Sequence, residues 1–304
     1  MIQTVSERSR SIETSKSDVD FSRIPVIVLP AMVLACRDLL APWVFMWCLS
    51  FAIFAGLKWL TWWKARGQKS HSAWRSAAYL LAWPGMDAEA FLNPSVPAKM
   101  PTRRAWIWAL LKTVAGVCLI WSVARVIPAQ RPLIRGWAGM LGLILLLHFG
   151  SFELIALFWQ SRGINAKPIM LAPLRSTSLA EFWGKRWNLG FRQFAHDLIF
   201  RPLQKKVGPG PASLAVFAAS GLIHEAVISL PARGGYGLPT AYFLLQGFGM
   251  AMERSVLGPH LGTRGGLGGW VLTAGLVAGP VFLLFHPPFV LRVILPFMEA
   301  IRAL

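Results

Sequence analysis

Charged residues are scarce in this 304-residue chain, and acidic residues are the scarcest among them. Charged residues make up 14% of the chain and apolar residues 55%, whereas a soluble domain carries about 25% charged residues. The 31 Lys and Arg against 13 Asp and Glu would suggest a nucleic-acid binder if they formed one continuous face. They lie instead between long apolar runs, which is typical of a multi-span membrane protein. We therefore expect membrane lipids, and no nucleic acid, as partners.

Cysteine and the common cofactor motifs are also missing or rare. Cys36, Cys48 and Cys118 lie in or beside apolar runs without a CxxC pair, so we interpret them as structural thiols. HExxH, GxxxxGK[ST], GxGxxG and GxSxG are all absent, and the six histidines are scattered. These absences predict no metal site and no nucleotide-binding loop, and they give little support to serine catalysis.

The chain divides into a polar tail and one apolar domain. Residues 1–22 contain no apolar stretch near Met1, so we expect a disordered cytoplasmic tail and no cleaved signal peptide. Residues 23–304 are predicted to form a single membrane-embedded, all-α domain enclosing a buried tunnel, with interfacial or re-entrant helices on the cytoplasmic side.

About eight membrane spans are predicted, because a spanning helix needs roughly 20 mostly apolar residues. Arg37 and Asp38 split the first apolar region, so a broken helix and a two-helix hairpin both stay open there. Pro287 and Pro288 separate the last two segments. The candidate spans are residues 24–36, 39–57, 105–124, 137–159, 212–230, 236–253, 268–286 and 289–303.

The basic residues predict the orientation of these spans. Of the Lys and Arg outside them, 23 fall on one side, which the positive-inside rule makes cytoplasmic together with both termini. An odd number of spans would move the C-terminus to the other side. Few cysteines and a basic cytoplasmic face suit a bacterial inner membrane. The opposite side receives only Arg37, Arg125, Arg131, Arg135 and Arg233.

Ionisable residues inside a span are candidates for function by default, because burying them in lipid is costly. His224 and Glu225 interrupt the apolar run SLAVFAASGLIHEAVISL, and His224 lies about 18 Å in from Ala212 at about 1.5 Å per residue. Ser220 is on the same helical face. At this depth a neutral imidazole is favoured, which suits a general base. A structural His–Glu pair is the alternative.

Four other ionisable residues in the spans have simpler interpretations. Lys112 is expected to extend its amine to the cytoplasmic interface. For His148 and Glu153 we expect structural hydrogen bonds, and for Glu253 an ion pair with the adjacent Arg254.

Two cytoplasmic stretches are more than simple loops. Residues 77–93, AAYLLAWPGMDAEAFLN, are too short and too interrupted by Pro84-Gly85 to span, so an interfacial or re-entrant element is predicted. Residues 161–210 are long, basic and aromatic, and loops of that length usually carry function.

Three motifs in order resemble the wax-synthase-like branch of the membrane-bound O-acyltransferases. They are LLAWPGMD at 80–87, FWGKRWN at 182–188 and SGLIHE at 220–225. The resemblance implies that His224 is the catalytic histidine and that Asn188 is the second characteristic active-site residue. It also implies acyl transfer from a thioester, usually acyl-CoA, to a hydroxyl acceptor within a membrane tunnel.

The residues around these motifs then acquire expected roles. Lys185, Arg186 and Arg192 are candidates to hold the phosphates of coenzyme A, although topology alone would also place cations there. Trp183 and Trp187 are candidates to line the tunnel or to anchor the chain at the headgroup boundary. Glu225 and Ser220 are expected to support His224.

Three functional hypotheses follow. The first is transfer of an acyl group from acyl-CoA to a lipophilic alcohol, with a wax ester as product. The second keeps the scaffold but moves a short acyl group, such as acetyl, to a sterol, isoprenoid, sugar or secondary metabolite. The third is a noncatalytic lipid-binding or transport protein in which the buried His–Glu pair conducts protons or braces the bundle. No cofactor beyond acyl-CoA as co-substrate is expected.

Overall fold

The computed structural model describes residues 23–67, 72–255 and 265–304, and all regular secondary structure in these ranges is helical. The all-α prediction is therefore confirmed, while the predicted tail at residues 1–22 lies outside the described residues. Short 3-10 turns occur at Arg37–Leu39 and Pro173–Arg175. The described helices, numbered α1 to α12, are Arg23–Ala35, Pro42–Ala65, Ala73–Ala82, Ala88–Leu92, Arg103–Val126, Pro132–Ser161, 179–186, 189–207, Pro209–Ala232, Leu238–Arg254, Gly266–Leu284 and 287–300.

Five of the described helices are long and apolar enough to cross a membrane: α2, α5, α6, α9 and α11. This is an integral membrane protein. The predicted count of eight spans is not confirmed, and the enclosed tunnel stays a prediction. Helix α10 has 17 residues, and it packs against α9 where Gly221 approaches Thr240 and where Gly247 approaches Phe217. Helix α1 has 13 residues and would cover only about 20 Å.

The first apolar region is a hairpin and not one broken helix. A Cβ on Gly56 in α2 would lie 2.7 Å from Val26 Cα and 2.9 Å from the Pro25 carbonyl oxygen in α1. The two helices therefore touch along their backbones, and the chain reverses at Arg37–Leu39. A small residue is what allows such a close approach.

The bundle has two ends, which we call proximal and distal. The proximal end carries the start of α1 and the ends of α2 and α6. The distal end carries residues 36–41, 127–131 and 233–237, where consecutive helices turn. The sequence predicts that the proximal end is cytoplasmic.

Helix α12 lies across the distal end, so the prediction that residues 289–303 form a span is wrong. Arg292 Nη1 donates to the carbonyl oxygens of Ala232 and Arg233 at 3.1 Å. At the other end of α12, Arg125 donates to the carbonyl oxygen of Arg302 at 2.5 Å. Both contacts are distal. The last described residues therefore lie at the opposite end from Arg23, so the described residues do not support the prediction that both termini lie on one side.

Residues 77–93 do not span the bundle but contribute to a small hydrophobic core at the proximal end, which confirms the prediction of a non-spanning element. Helix α3 has ten residues and α4 has five, with the extended residues 83–87 between them. Trp83 stacks on Phe91, and Phe91 meets Trp159 of α6 edge-on. This second core is separate from the main core between the long helices.

Lys58 of α2 ties the extended residues 83–87 to the membrane helices. The side chain is only 1% exposed. Its Nζ donates to the Gly85 carbonyl oxygen and lies 3.3 Å from the centroid of the Tyr79 ring. A buried amine is costly unless its donors are satisfied, so this contact ties Gly85 to α2.

Of the four expectations for ionisable span residues, those for Lys112 and His148 are wrong, and a third, for Glu253, is corrected with the site below. Lys112 does not extend to the interface but forms an ion pair with Glu153 of α6, so Glu153 does take part in a structural bond. His148 packs edge-on against Phe152, and its Nδ1 is buried without a hydrogen-bond partner in the described part of the chain.

Candidate functional site

The local helix fixes the tautomer of His224. Its Nδ1 lies 2.7 Å from the carbonyl oxygen of Ser220, one turn earlier in α9. A carbonyl oxygen can only accept a hydrogen bond, so Nδ1 carries the proton in this contact. In the neutral imidazole Nε2 then holds the free lone pair. The geometry thus gives His224 a single nitrogen that can accept a proton.

Aromatic rings connect His224 to the FWGKRWN motif. The ring centroids of His224 and Phe243 are 4.4 Å apart, and Phe243 lies 5.8 Å from Trp183. Trp183 in turn meets Phe217 edge-on at 5.8 Å and Trp187 at 6.4 Å. We call Trp183, Trp187, Phe217 and Phe243 the aromatic cluster. Both predicted tryptophans therefore contact rings of this interior cluster.

One face of α10 joins the pieces of this site. Thr240, Phe243, Gln246 and Glu253 are spaced by three, three and seven residues, which places them on the same face. Thr240 contacts the carboxylate of Glu225, Phe243 contacts His224 and Gln246 contacts Trp183. Sequence reasoning missed Thr240, Phe243 and Gln246, although their helical spacing was a signal that could have indicated them.

Glu253 holds the beginning of α7 and does not pair with Arg254 as predicted. Its carboxylate accepts hydrogen bonds from the backbone N–H groups of Leu179, at 2.6 Å, and Ala180, at 3.1 Å. The first N–H groups of a helix have no intrahelical partner, and a carboxylate there is doubly favoured by hydrogen bonding and by the helix dipole. This contact attaches the FWGKRWN motif to α10.

Gln246 is fully buried and bridges three helices. Its Oε1 accepts from Trp183 Nε1 at 3.3 Å, and its Nε2 donates to the Leu276 carbonyl oxygen of α11 at 2.7 Å. Residue 280 is a proline and has no N–H, so the Leu276 carbonyl lacks its normal partner four residues on. Gln246 supplies the missing donor.

Glu225 accepts two hydrogen bonds from Thr240, both at 3.1 Å, from the backbone N–H and from the side-chain hydroxyl. Its other oxygen, Oε2, is buried without a partner among the described residues. Glu225 therefore anchors the first turn of α10 beside His224. Ser220 is buried and contributes its carbonyl oxygen to the His224 contact.

Asn188 has a conformation that favours this residue type. Its φ is +41°, in the left-handed region, which asparagine tolerates better than most residues. Its Oδ1 accepts from the backbone N–H of Phe191 at 3.3 Å and so caps α8. Two positions later, a Cβ on Gly190 would lie 3.2 Å from the backbone nitrogen of Met86. The three sequence motifs are therefore neighbours in space.

The three predicted phosphate-binding cations are placed differently. Arg186 pairs with Glu181 at 2.6 Å and also donates to the carbonyl oxygens of Leu171 and Ala172, so it is engaged in ordering this segment. Lys185 and Arg192 are exposed, and neither side chain has a hydrogen-bond partner within the described ranges. These two remain available to a soluble ligand at the proximal end.

The Glu181 carboxylate is the acidic centre of this segment. The backbone hydrogen bond from Thr177 and then the bonds from Arg186 hold the pKa of Glu181 below its usual value.

Downstream, His196 and Asp197 contact each other at 3.0 Å. Among the described residues, no group of three or more His, Cys, Asp or Glu is placed to hold a metal ion.

Residues 166–245 match the model of the membrane bound O-acyl transferase family. The match contains Asn188, His224 and the whole aromatic cluster. The resemblance to the wax-synthase-like membrane-bound O-acyltransferases is confirmed.

Curated relatives match over parts of the chain. A probable long-chain-alcohol O-fatty-acyltransferase 8 of Arabidopsis thaliana is 28% identical over 173 residues, covering 54% of this chain and 50% of the relative. The long-chain-alcohol O-fatty-acyltransferase of Simmondsia chinensis is 29% identical over 103 residues, covering 31% of this chain and 29% of the relative. This chain thus spans half or less of the length of these acyltransferases.

Proposed function

We propose that this protein is a membrane O-acyltransferase that moves an acyl group from acyl-CoA to the hydroxyl of a lipophilic alcohol. The observation that carries the proposal is the free Nε2 of His224 inside the region that matches the acyltransferase family. The relatives are named for long-chain alcohols and fatty acyl groups, which favours a wax-ester product over a short-chain one.

The reaction requires a base that removes the proton of the alcohol and an acid that protonates the departing thiolate, and His224 is assigned both roles. His224 Nε2 removes the hydroxyl proton as the alcohol oxygen attacks the thioester carbonyl carbon, forming the new C–O bond. The C–S bond then breaks, and the imidazolium returns the proton to the departing thiolate. The Nδ1–H bond to Ser220 keeps the imidazole oriented throughout.

Asn188 and the exposed cations complete the proposed site. The Asn188 oxygen caps α8, so its amide nitrogen is the group assigned to the substrate, where it orients the reactants or donates to the developing oxyanion. Lys185 and Arg192 are assigned to the phosphates of coenzyme A. Arg186 is assigned an ordering role through Glu181, because its donors are engaged.

The same assignment makes the proximal end the side from which acyl-CoA enters, and therefore the cytoplasmic side. The basic residues of that end support this orientation. The relatives are plant proteins, so they do not support the prediction of a bacterial inner membrane.

The test is ester formation by purified protein with acetyl-CoA and palmitoyl-CoA, each with a panel of hydroxyl acceptors that includes a long-chain alcohol. Products are identified by mass spectrometry, and His224→Ala is the test variant. We expect alcohol-dependent ester from the wild type and none from folded His224→Ala. Full activity in the folded variant would remove His224 from the mechanism. Exclusive use of acetyl-CoA would select the short-chain alternative, and absence of any acyl-CoA turnover would favour the noncatalytic one.

A further inference from the structure

The turn between α7 and α8, which carries Asn188, is held by the loop that precedes α7. Before the turn, Leu171 N–H donates to the Arg186 carbonyl oxygen at 2.8 Å. After the turn, Leu189 N–H donates to the Ile169 carbonyl oxygen at 2.9 Å. Because the two bonds lie on either side of the turn, they fix its position relative to the loop.

Met170 lies between those two bonds in the loop, opposite both residues of the turn. Its sulfur accepts a hydrogen bond from the backbone N–H of Asn188 at 3.3 Å. Trp187, the other residue of the turn, donates its N–H to the Phe182 carbonyl oxygen at 2.9 Å. Two residues opposite one, as in a β-bulge, bend the longer side and change where its side chains point. A side chain of the loop therefore supplies the acceptor for the Asn188 N–H.

The conformation of Ala172 shows that this loop is held in place by its contacts. The φ of Ala172 is +45°, in the left-handed region, which is unfavourable for alanine because its Cβ crowds the following carbonyl oxygen. Arg186 Nη1 donates to the carbonyl oxygens of Leu171 at 3.2 Å and of Ala172 at 3.4 Å. Residues in such conformations persist where surrounding contacts over-determine them, and they cluster at functional sites.

We propose that Met170 is a positioning residue for acyl transfer and that it acts through Asn188. The inference rests on the proposed function, in which the Asn188 amide nitrogen contacts the reactants. The Asn188 Oδ1 is engaged with the Phe191 N–H, so the direction of the amide nitrogen depends on the backbone of the turn. The Met170 sulfur restrains that backbone at the Asn188 N–H. Without this acceptor the turn gains freedom at the residue that is assigned to the substrate.

The contact is tested by NMR on protein that carries ¹³C-carbonyl tryptophan and ¹⁵N-asparagine. The chain has three asparagines, Asn93, Asn165 and Asn188, and only Asn188 follows a tryptophan. The double label therefore selects one backbone amide, and its rate of hydrogen exchange is the readout.

Two substitutions at Met170 separate the hydrogen bond from the shape of the side chain. Met170→Leu nearly keeps the volume and removes the acceptor, whereas Met170→Gln restores an acceptor on an unbranched side chain. A neutral hydrogen bond changes an equilibrium roughly 2- to 10-fold. We expect the Asn188 amide proton to exchange faster by that factor in Met170→Leu, and Met170→Gln to recover most of the protection.

The positioning role is tested by the kinetics of ester formation at a temperature well below unfolding. We expect the kcat of Met170→Leu to fall roughly 2- to 10-fold, with KM for acyl-CoA unchanged and with kcat largely rescued in Met170→Gln. The matched control is Met100→Leu, at an exposed methionine with 64% of the residue accessible, which is expected to keep the wild-type kcat. A merely structural role would lower Tm and leave the kcat of the folded protein unchanged.

Equal exchange of the Asn188 amide in the wild type and in Met170→Leu would overturn the inference, whatever the activity. So would faster exchange with an unchanged kcat, because the hydrogen bond would then not position the reacting groups. Absence of ester from the wild type would instead refute the proposed function together with the role assigned to Met170 in it, while faster exchange would still confirm the contact.

Discussion

Replacing Gln246 by leucine removes both hydrogen bonds of the residue that bridges α7, α10 and α11. The variant leaves the half-buried Trp183 Nε1 and Leu276 carbonyl oxygen without these partners, and the proline at residue 280 offers no replacement donor. Each unsatisfied group costs about 1–3 kcal/mol. Because the Trp183 bond is long at 3.3 Å, we place the total loss in the lower part of that combined range, at about 2–4 kcal/mol.

Thermal unfolding of detergent-solubilised protein, followed by tryptophan fluorescence, measures this loss. At about 2–4 °C per kcal/mol, Tm is expected to fall by at least about 4 °C. The rate of ester formation is expected to fall too, since Trp183 contacts Phe243, which packs on His224. The control is Phe248→Leu, on an exposed face of the same helix with 59% of the residue accessible, where a change within about 0.5 kcal/mol is expected. If Gln246→Leu and the control unfold at the same temperature, Gln246 does not bridge the helices.

Three further predictions concern the surroundings of the site. Thr240→Val removes the hydroxyl donor to the Glu225 carboxylate. It is expected to lower stability by about 1–3 kcal/mol in the same unfolding assay. Thr273→Val, which loses only a bond within its own helix, should change it less. Lys58→Met leaves the buried Gly85 carbonyl oxygen without its donor and is expected to lower Tm. The variant should also slow ester formation, because Gly85 is released beside the FWGKRWN motif; equal rates would contradict this role. For Glu181, whose pKa is lowered in the folded protein, the charged form stabilises the fold above the ordinary carboxyl pKa of about 4.3. That stability is lost as pH falls through the folded value, so Tm of the wild type should drop below about pH 4. Glu181→Gln should show a smaller drop, because Asp197, whose pKa is also lowered, still contributes, and an identical pH dependence would refute the contact.

Much of the architecture followed from patterns of residues within single segments. The apolar runs correctly predicted the all-helical membrane fold, because lipid requires every backbone group to bond within its own helix. The interrupted stretch at 77–93 was correctly excluded from spanning. The three short motifs were enough to indicate the family. Each of these three predictions depends only on residues that are close together in the chain, and the sequence alone is therefore enough to make them.

The failures share one cause, which is contact between segments distant in the chain. Residues 289–303 have the composition of a short span, yet α12 lies across the distal end because Arg125 and Arg292 bind its backbone and its neighbours. Lys112 pairs with Glu153, 41 residues away. Gln246 shares a helical face with Thr240 and Phe243, but its bridging role comes from a carbonyl oxygen that a proline on another helix leaves without a donor, and the sequence does not show that contact.

The sequence by itself determined that this chain is a helical membrane protein, which family it resembles and which histidine is its candidate base. Hydrophobic run length and short motifs are enough for that, since both are properties of contiguous residues. Only the tertiary structure decided which nitrogen of His224 is free, which cations stay available at the proximal end and how α10 holds the motifs together. The first depends on where the His224 side chain lies against its own helix, and the other two depend on which groups meet across helices. A hydrogen bond is defined by the position of both partners, which the sequence does not give.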